Sequence, residues 1–145
     1  MEQKDLADRF INALAEIEQT KNLQPMVDLF ASDAVLFNPI QIDGLRGLKN
    51  IRRFWQDYID TFADVNTRFK RRASSGNFVV LEWLTQAHLA GSRLPVEYAG
   101  VTILEHDGQK IRQFNTYYDT ARLTTAAATA AAQNLRPGQQ YRPLI

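Results

Sequence analysis

The chain contains no cysteine, which excludes disulfides and thiolate chemistry. It has only two histidines, His88 and His106, far apart in sequence, so neither a multi-histidine metal site nor a cofactor is expected. Neither sign of charge is in excess: 17 basic and 16 acidic residues leave a net +1. So even a balance sets up no long-range field, and neither nucleic acid nor a membrane surface is expected as a partner. No apolar run approaches the ~18 residues of a spanning helix. The opening Met1-Glu2-Gln3-Lys4-Asp5 lacks the apolar centre of a signal peptide, and the expected location is cytoplasmic.

What remains is an ordinary globular composition, 45% hydrophobic and 23% charged, in 145 residues. That length fits one domain, expected over 1–135, with a linker-like tail over 136–145. Leu6, Phe10, Leu14 and Ile17 recur at helical spacing and predict an amphipathic helix over 3–20. Asn22 is placed to cap a short second helix that tolerates Pro25 in its first turn. Ser32-Asp33 is expected to break that helix, with a short strand from Val35 to Pro39 and a loop over 40–46. Gly47 then opens a third helix. Ile51, Phe54, Trp55, Tyr58, Ile59 and Phe62 form its apolar face; Arg52, Arg53, Gln56, Asp57 and Asp60 fall on the other.

Beyond Asp64 the period changes from 3.6 to 2, predicting strands over 65–73, 78–89, 94–105 and 110–118. Asp107-Gly108 between alternating runs is a strong hairpin signal. Asp119 or Thr120 is placed to cap an alanine-rich last helix. Helices followed by a meander imply an α+β fold, a curved antiparallel sheet wrapped on N-terminal helices. Strands of about twelve residues twist and coil, which bends such a sheet into a cone. Alternation sorts the strand residues into two sets. Leu81, Trp83, Thr85 and Ala87 share one face with Val96, Tyr98, Gly100 and Thr102, and with Phe114, Thr116 and Tyr118. Glu82, Leu84, Gln86, Glu97, Ala99, Val101, Asn115 and Tyr117 share the other. The basic run Arg68-Phe69-Lys70-Arg71-Arg72 reads as a solvated edge strand protected by charge.

The element order resembles the nuclear transport factor 2-like superfamily (a cystatin-like α+β barrel), and within it the SnoaL-like group related to polyketide cyclases and ketosteroid isomerase. The residues carrying the resemblance are Phe30-Ala31-Ser32-Asp33-Ala34-Val35, Gly44-Leu45-Arg46-Gly47 followed by Phe54-Trp55, Gly100-Val101, and Asp107-Gly108-Gln109-Lys110-Ile111 leading to Tyr117-Tyr118-Asp119. It implies that Asn38 points inward with Leu36, and that the first of the two faces lines a cavity. Phe54 and Tyr58 of the third helix join it. The implied ligand set is therefore Leu36, Asn38, Phe54, Tyr58, Trp83, Thr85, Val96, Tyr98, Phe114, Thr116 and Tyr118.

The resemblance also permits a test of known chemistries. Ketosteroid isomerases place a carboxylate where this chain has Asn38, and a tyrosine and an acid where it has Leu14 and Gly100. Limonene epoxide hydrolases share only the asparagine; Leu36, Trp83, Thr85 and Thr116 replace their other four groups. Both catalytic sets are absent, and whether the chain is an enzyme stays open. Asn38 and Tyr98 are the best catalytic candidates. The expected function is uptake of a small apolar cyclic molecule, with isomerase- or cyclase-type chemistry by non-standard residues. The alternative is a non-catalytic interaction module that dimerises through its sheet face. In both, a homodimer is expected through the apolar outer face.

Overall fold

The computed structural model describes residues 5–123. Asp5 opens α1 (Leu6–Thr20) by accepting the Asp8 N–H on Oδ1 at 2.8 Å. One stripe of this helix, including Leu6, Phe10, Leu14 and Ile17, is buried. The short α2 (Gln24–Val27) has Pro25 in its first turn, as its sequence allows. Its N-cap is Leu23 rather than Asn22, whose Oδ1 still accepts the Gln24 N–H.

Strand β1 (Phe30–Phe37) begins five residues before the expected Val35. Ser32-Asp33 does not separate helix from strand but lies within β1, exposed, where the register with β6 is irregular. The expected loop over 40–46 contains a two-residue strand, β2 (Leu45–Arg46). Gly47, at φ +85°, leads into α3 (Leu48–Thr61). Phe62 is not on the helix face; it caps α3 and starts β3 (Phe62–Ser75). The period-2 segment therefore starts three residues earlier than expected.

The meander continues through β4 (Phe78–Leu89), β5 (Pro95–His106) and β6 (Ile111–Tyr118). The six strands form one sheet in the order β2-β1-β6-β5-β4-β3. Its pairings are antiparallel except β1 with β6, which run parallel. The sheet is curved and unclosed, with helices on its concave side, an α+β architecture. No helix among the described residues is long and apolar enough to cross a membrane.

Burial follows the alternation closely. On β4, Val79, Leu81, Trp83, Thr85, Ala87 and Leu89 are all buried, while Glu82, Leu84 and Gln86 are not. These inward residues, α1 and the Ile51–Trp55–Ile59 stripe of α3 make up one core. The last helix is described only in its first turn, where Asp119 Oδ1 accepts the Ala121 N–H. The alanine-rich remainder and the 136–145 tail lie outside the described residues.

Candidate functional site

Between α1, α3 and the concave face lies a cavity of about 380 Å³. Its sheet wall is built from cross-strand rows, each one register step from the next. Thr67, Thr85 and Tyr98 stand opposite one another across β3, β4 and β5. The next row is Phe69, Trp83, Gly100 and Tyr118. A third places Thr102 opposite Thr116. Hydroxyls thus flank an aromatic band. Opposed Cβ atoms in such rows are about 4.5–5.5 Å apart, so neighbouring hydroxyls meet: Thr67 with Thr85 at 2.8 Å, and Thr102 with Thr116 at 3.0 Å.

Gly100 explains how the aromatic band fits. A Cβ at this position would come within 2.5 Å of both the Trp83 ring and the Tyr117 carbonyl. The missing side chain leaves room for the indole to lie flat across β5. Trp83 Nε1–H then donates to Thr102 Oγ1 at 2.9 Å. On the helix side, Phe114 sits 5.7 Å from Trp55, 5.9 Å from Phe10 and 6.2 Å from Phe54, centre to centre. These are tilted and edge-on pairs, the arrangements aromatic rings prefer.

Of the residues expected to line the cavity, Asn38, Phe54, Tyr58, Trp83 and Thr85 do, as do Tyr98, Phe114, Thr116 and Tyr118. Leu36 and Val96 do not. Leu36 is fully buried in the core, beside Phe114 in register. Val96 is buried opposite Ala87. Both face inward as their parity requires, but neighbouring side chains cover them.

Asn38 carries a defined orientation. Its Oδ1 accepts the N–H groups of Ile40 (2.9 Å) and Gln41 (2.6 Å), a side-chain-closed turn around Pro39. The carbonyl is thereby spent, and the Nδ2 amide has no partner among the described residues. Trp55, another lining residue, has a buried Nε1–H without a partner there. A buried donor left unmade costs about 1–3 kcal/mol. The Trp55 N–H alone bears this cost, since the Asn38 amide is solvent-accessible.

The main surprise is Glu18, on the last turn of α1. Its Oε2 accepts the Tyr58 hydroxyl and the Thr67 hydroxyl, each at 2.7 Å, and its Oε1 accepts the Thr67 N–H at 2.8 Å. Thr67 continues to Thr85, which stands opposite Tyr98 on β5. A carboxylate behind the wall is therefore wired to the lining. Sequence reasoning missed it because its partners are 40 and 49 residues away. Its one local signal is the four-residue step from Leu14, which puts it on the inward side of α1. Arg53 and Asp57 correct a second expectation. They were assigned to the outer face of α3, yet they border the cavity at its solvent edge, beside Phe54 and Tyr58. The hollow is thus not uncharged throughout.

Burial holds the lining tyrosines protonated. It raises Tyr118 to about 12. It raises Tyr98 further still and Tyr58 well above the ordinary phenol value, helped for Tyr98 by the nearby Tyr118 and for Tyr58 by Tyr98 and Glu18. None can serve as a base near neutral pH. A phenol whose folded pKa lies above its unfolded value of about 10 contributes stability below that value, and the contribution is lost as pH rises through the folded pKa. Spectrophotometric titration should therefore show three of the five tyrosines ionising late, together with unfolding, above about pH 10. Smooth ionisation of all five around pH 10 in the folded protein would contradict this.

Other candidates lie elsewhere. His88 is exposed and pairs with Asp64 at 2.8 Å. Glu82 is held on the outer face by both nitrogen arms of Arg71, and Glu97 accepts from Gln86. β3, with the basic run, is an edge strand, and its Arg72 reaches Asp8 of α1.

Residues 7–114 match the family model for the SnoaL-like domain. No curated protein sequence matches. Among solved structures, a ketosteroid isomerase-like protein from Catenulispora acidiphila, determined with trimethylamine, superposes with a TM-score of 0.69 at 20% identity, over 84% of this chain and 92% of that one. A SnoaL-like protein from Shewanella putrefaciens, proposed to be a polyketide cyclase, gives 0.71 at 12% identity, over 88% and 99%. An epoxide hydrolase of the LEH type from M. tuberculosis gives 0.64 at 16% identity, over 86% and 90%. At these identities the likeness is one of fold.

Proposed function

Because this chain belongs to the SnoaL-like domain family, we propose that it takes up one small, largely apolar, ring-shaped molecule in the cavity between its helices and its sheet. The observation that carries this is the open volume of about 380 Å³, within the range of ligand sites, where a purely structural module would be packed shut. Rings stack against Trp83, Tyr118 and Phe114. The free amide of Asn38 and the Trp55 N–H supply donors for a carbonyl oxygen. Burying about 200 Å² of apolar ligand surface gains roughly 5 kcal/mol before association costs. The chemistry this wall supports is isomerisation, cyclisation or dehydration of a carbonyl compound polarised by Asn38. Tyr98 contributes hydrogen bonding there and not a base.

A thermal-shift screen with steroid, aromatic polyketide-like and terpenoid ketones tests the reading, followed by calorimetry on hits. Asn38→Asp keeps the oxygen that closes the turn but removes the donor, and it should weaken binding at least about tenfold. A screen in which no ring compound raises the melting temperature would sink the proposal.

We also propose that the protein pairs with a second copy through the outer sheet face. Leu84, Ala99, Val101 and Tyr117 lie in adjoining rows there. Tyr117 is 54% exposed and Val80, further along β4, 39%. Sedimentation equilibrium should give a dimer, and Val101→Arg a monomer of unchanged fold; a monomeric parent chain would refute it.

A further inference from the structure

Hydrogen-bond direction across the cavity wall can be worked out from Glu18 outward. A carboxylate only accepts, so the Thr67 hydroxyl must spend its proton on Glu18 Oε2, 2.7 Å away. Thr67 Oγ1 is then the acceptor in its 2.8 Å contact with Thr85. That leaves the Thr85 proton spent as well. Thr85 Oγ1, its proton spent, keeps only lone pairs to offer the cavity beside Tyr98, its register partner on β5. Every hydroxyl on this line points toward Glu18. What the line offers a ligand is oxygen lone pairs.

The other side of the cavity has the reverse polarity. Trp83 Nε1 can only donate, and it donates to Thr102 Oγ1, which also contacts Thr116. This line has three donor protons and two acceptor oxygens, so one hydroxyl proton is left over whichever threonine donates to the other. Asn38 adds its free Nδ2, following directly on Phe37, which is in register with Asn115. In sheet order β1 is separated from β4 by β6 and β5, about 14 Å around the sheet at ~4.8 Å per strand.

We infer that Glu18 is a specificity-determining positioning residue. By fixing the direction of the Thr67–Thr85 line, it makes the cavity select a ring compound with a hydroxyl donor at that end and a carbonyl acceptor at the Asn38 end. The inference rests on the ligand-pocket reading above and narrows it to hydroxylated cyclic ketones.

Glu18→Gln tests it, because the Thr67 N–H pins the amide oxygen in the Oε1 position. The new –NH₂ then faces Tyr58 and the Thr67 hydroxyl and donates to them. Thr67 must turn its proton to Thr85, and the line reverses. The probes are a bicyclic ketone with a phenolic hydroxyl on its far ring (a hydroxytetralone) and its methyl ether, measured by calorimetry. The parent protein should bind the phenol about tenfold more tightly than the ether, the weight of about one hydrogen bond. Glu18→Gln, with an unchanged circular dichroism spectrum, should abolish or invert that ratio. Thr85→Val, which removes the hydroxyl oxygen offered at this end, should remove the preference for the phenol over the ether. An undiminished phenol preference in Glu18→Gln, or equal binding of the two probes by the parent, would overturn this inference alone. Failure of both probes to bind the parent would overturn the pocket reading and this inference with it.

Discussion

Phe114→Ala should destabilise the protein by about 3–5 kcal/mol, near the top of the range for a single core truncation. Phe114 is 2% exposed and stands on β6, the strand between the parallel pairing with β1 and the antiparallel pairing with β5. Its ring meets Phe10 of α1, Phe30 of β1, and Phe54 and Trp55 of α3. Three other elements thus converge on one side chain. The void left by truncation adjoins an existing cavity, so the neighbours have little reason to collapse into it. Urea unfolding monitored by circular dichroism measures the loss. Phe114→Leu should recover more than half of it. A loss below about 1 kcal/mol for the alanine variant would mean that the aromatic cluster does not hold the helices to the sheet.

Glu18→Ala should cost about 2–4 kcal/mol, a large effect for a half-buried charged residue. The cost does not come from lost Coulomb attraction, since no cation pairs with Glu18 among the described residues. It comes from three donors, the Tyr58 hydroxyl and the Thr67 N–H and hydroxyl, that lose their acceptor together. Water entering the space left by the side chain offsets part of this, which keeps the expected value below the sum of three unmade bonds. Glu18→Gln keeps an acceptor for the Thr67 N–H and should cost about 1 kcal/mol or less. Equilibrium unfolding of the two variants side by side decides the matter. An alanine variant within about 0.5 kcal/mol of the parent would mean that solvent satisfies these groups as well as the carboxylate does.

The contrast between these two residues shows what the sequence could reveal. Phe114 was legible because strand alternation is a local signal: β4 begins and ends where its pattern predicts, and the Asp107-Gly108 turn fixes the parity of β6. Asn38 was placed at the cavity by the family resemblance, and its turn around Pro39 emerges only in the structure. Glu18 was not, because its one local mark, the four-residue step from Leu14, does not say what its carboxylate meets. Its meaning comes from β3, which crosses behind it. Arg53 and Asp57 were misplaced because they flank the apolar stripe of α3 by one residue, and a helix face has no sharp edge in sequence. The start of β1 was obscured by Ser32-Asp33, polar residues that a strand tolerates where its pairing is irregular. Phe62 fits the helical period and the strand period equally, so only tertiary pairing with Leu89 decides it.

The parallel partnership of β1 and β6 has a consequence for how the chain acquires its shape. About half of the sequence, residues 38–110, separates these strands, so β1 leaves the ribosome long before its partner exists. At ~5–20 residues per second it waits for seconds with one edge held only by the two residues of β2. The meander from β3 to β6 can zip up through neighbouring hairpins as it emerges. The parallel seam between β1 and β6 cannot form until β6 has emerged, so the amino-terminal segment joins the sheet only after the meander is made.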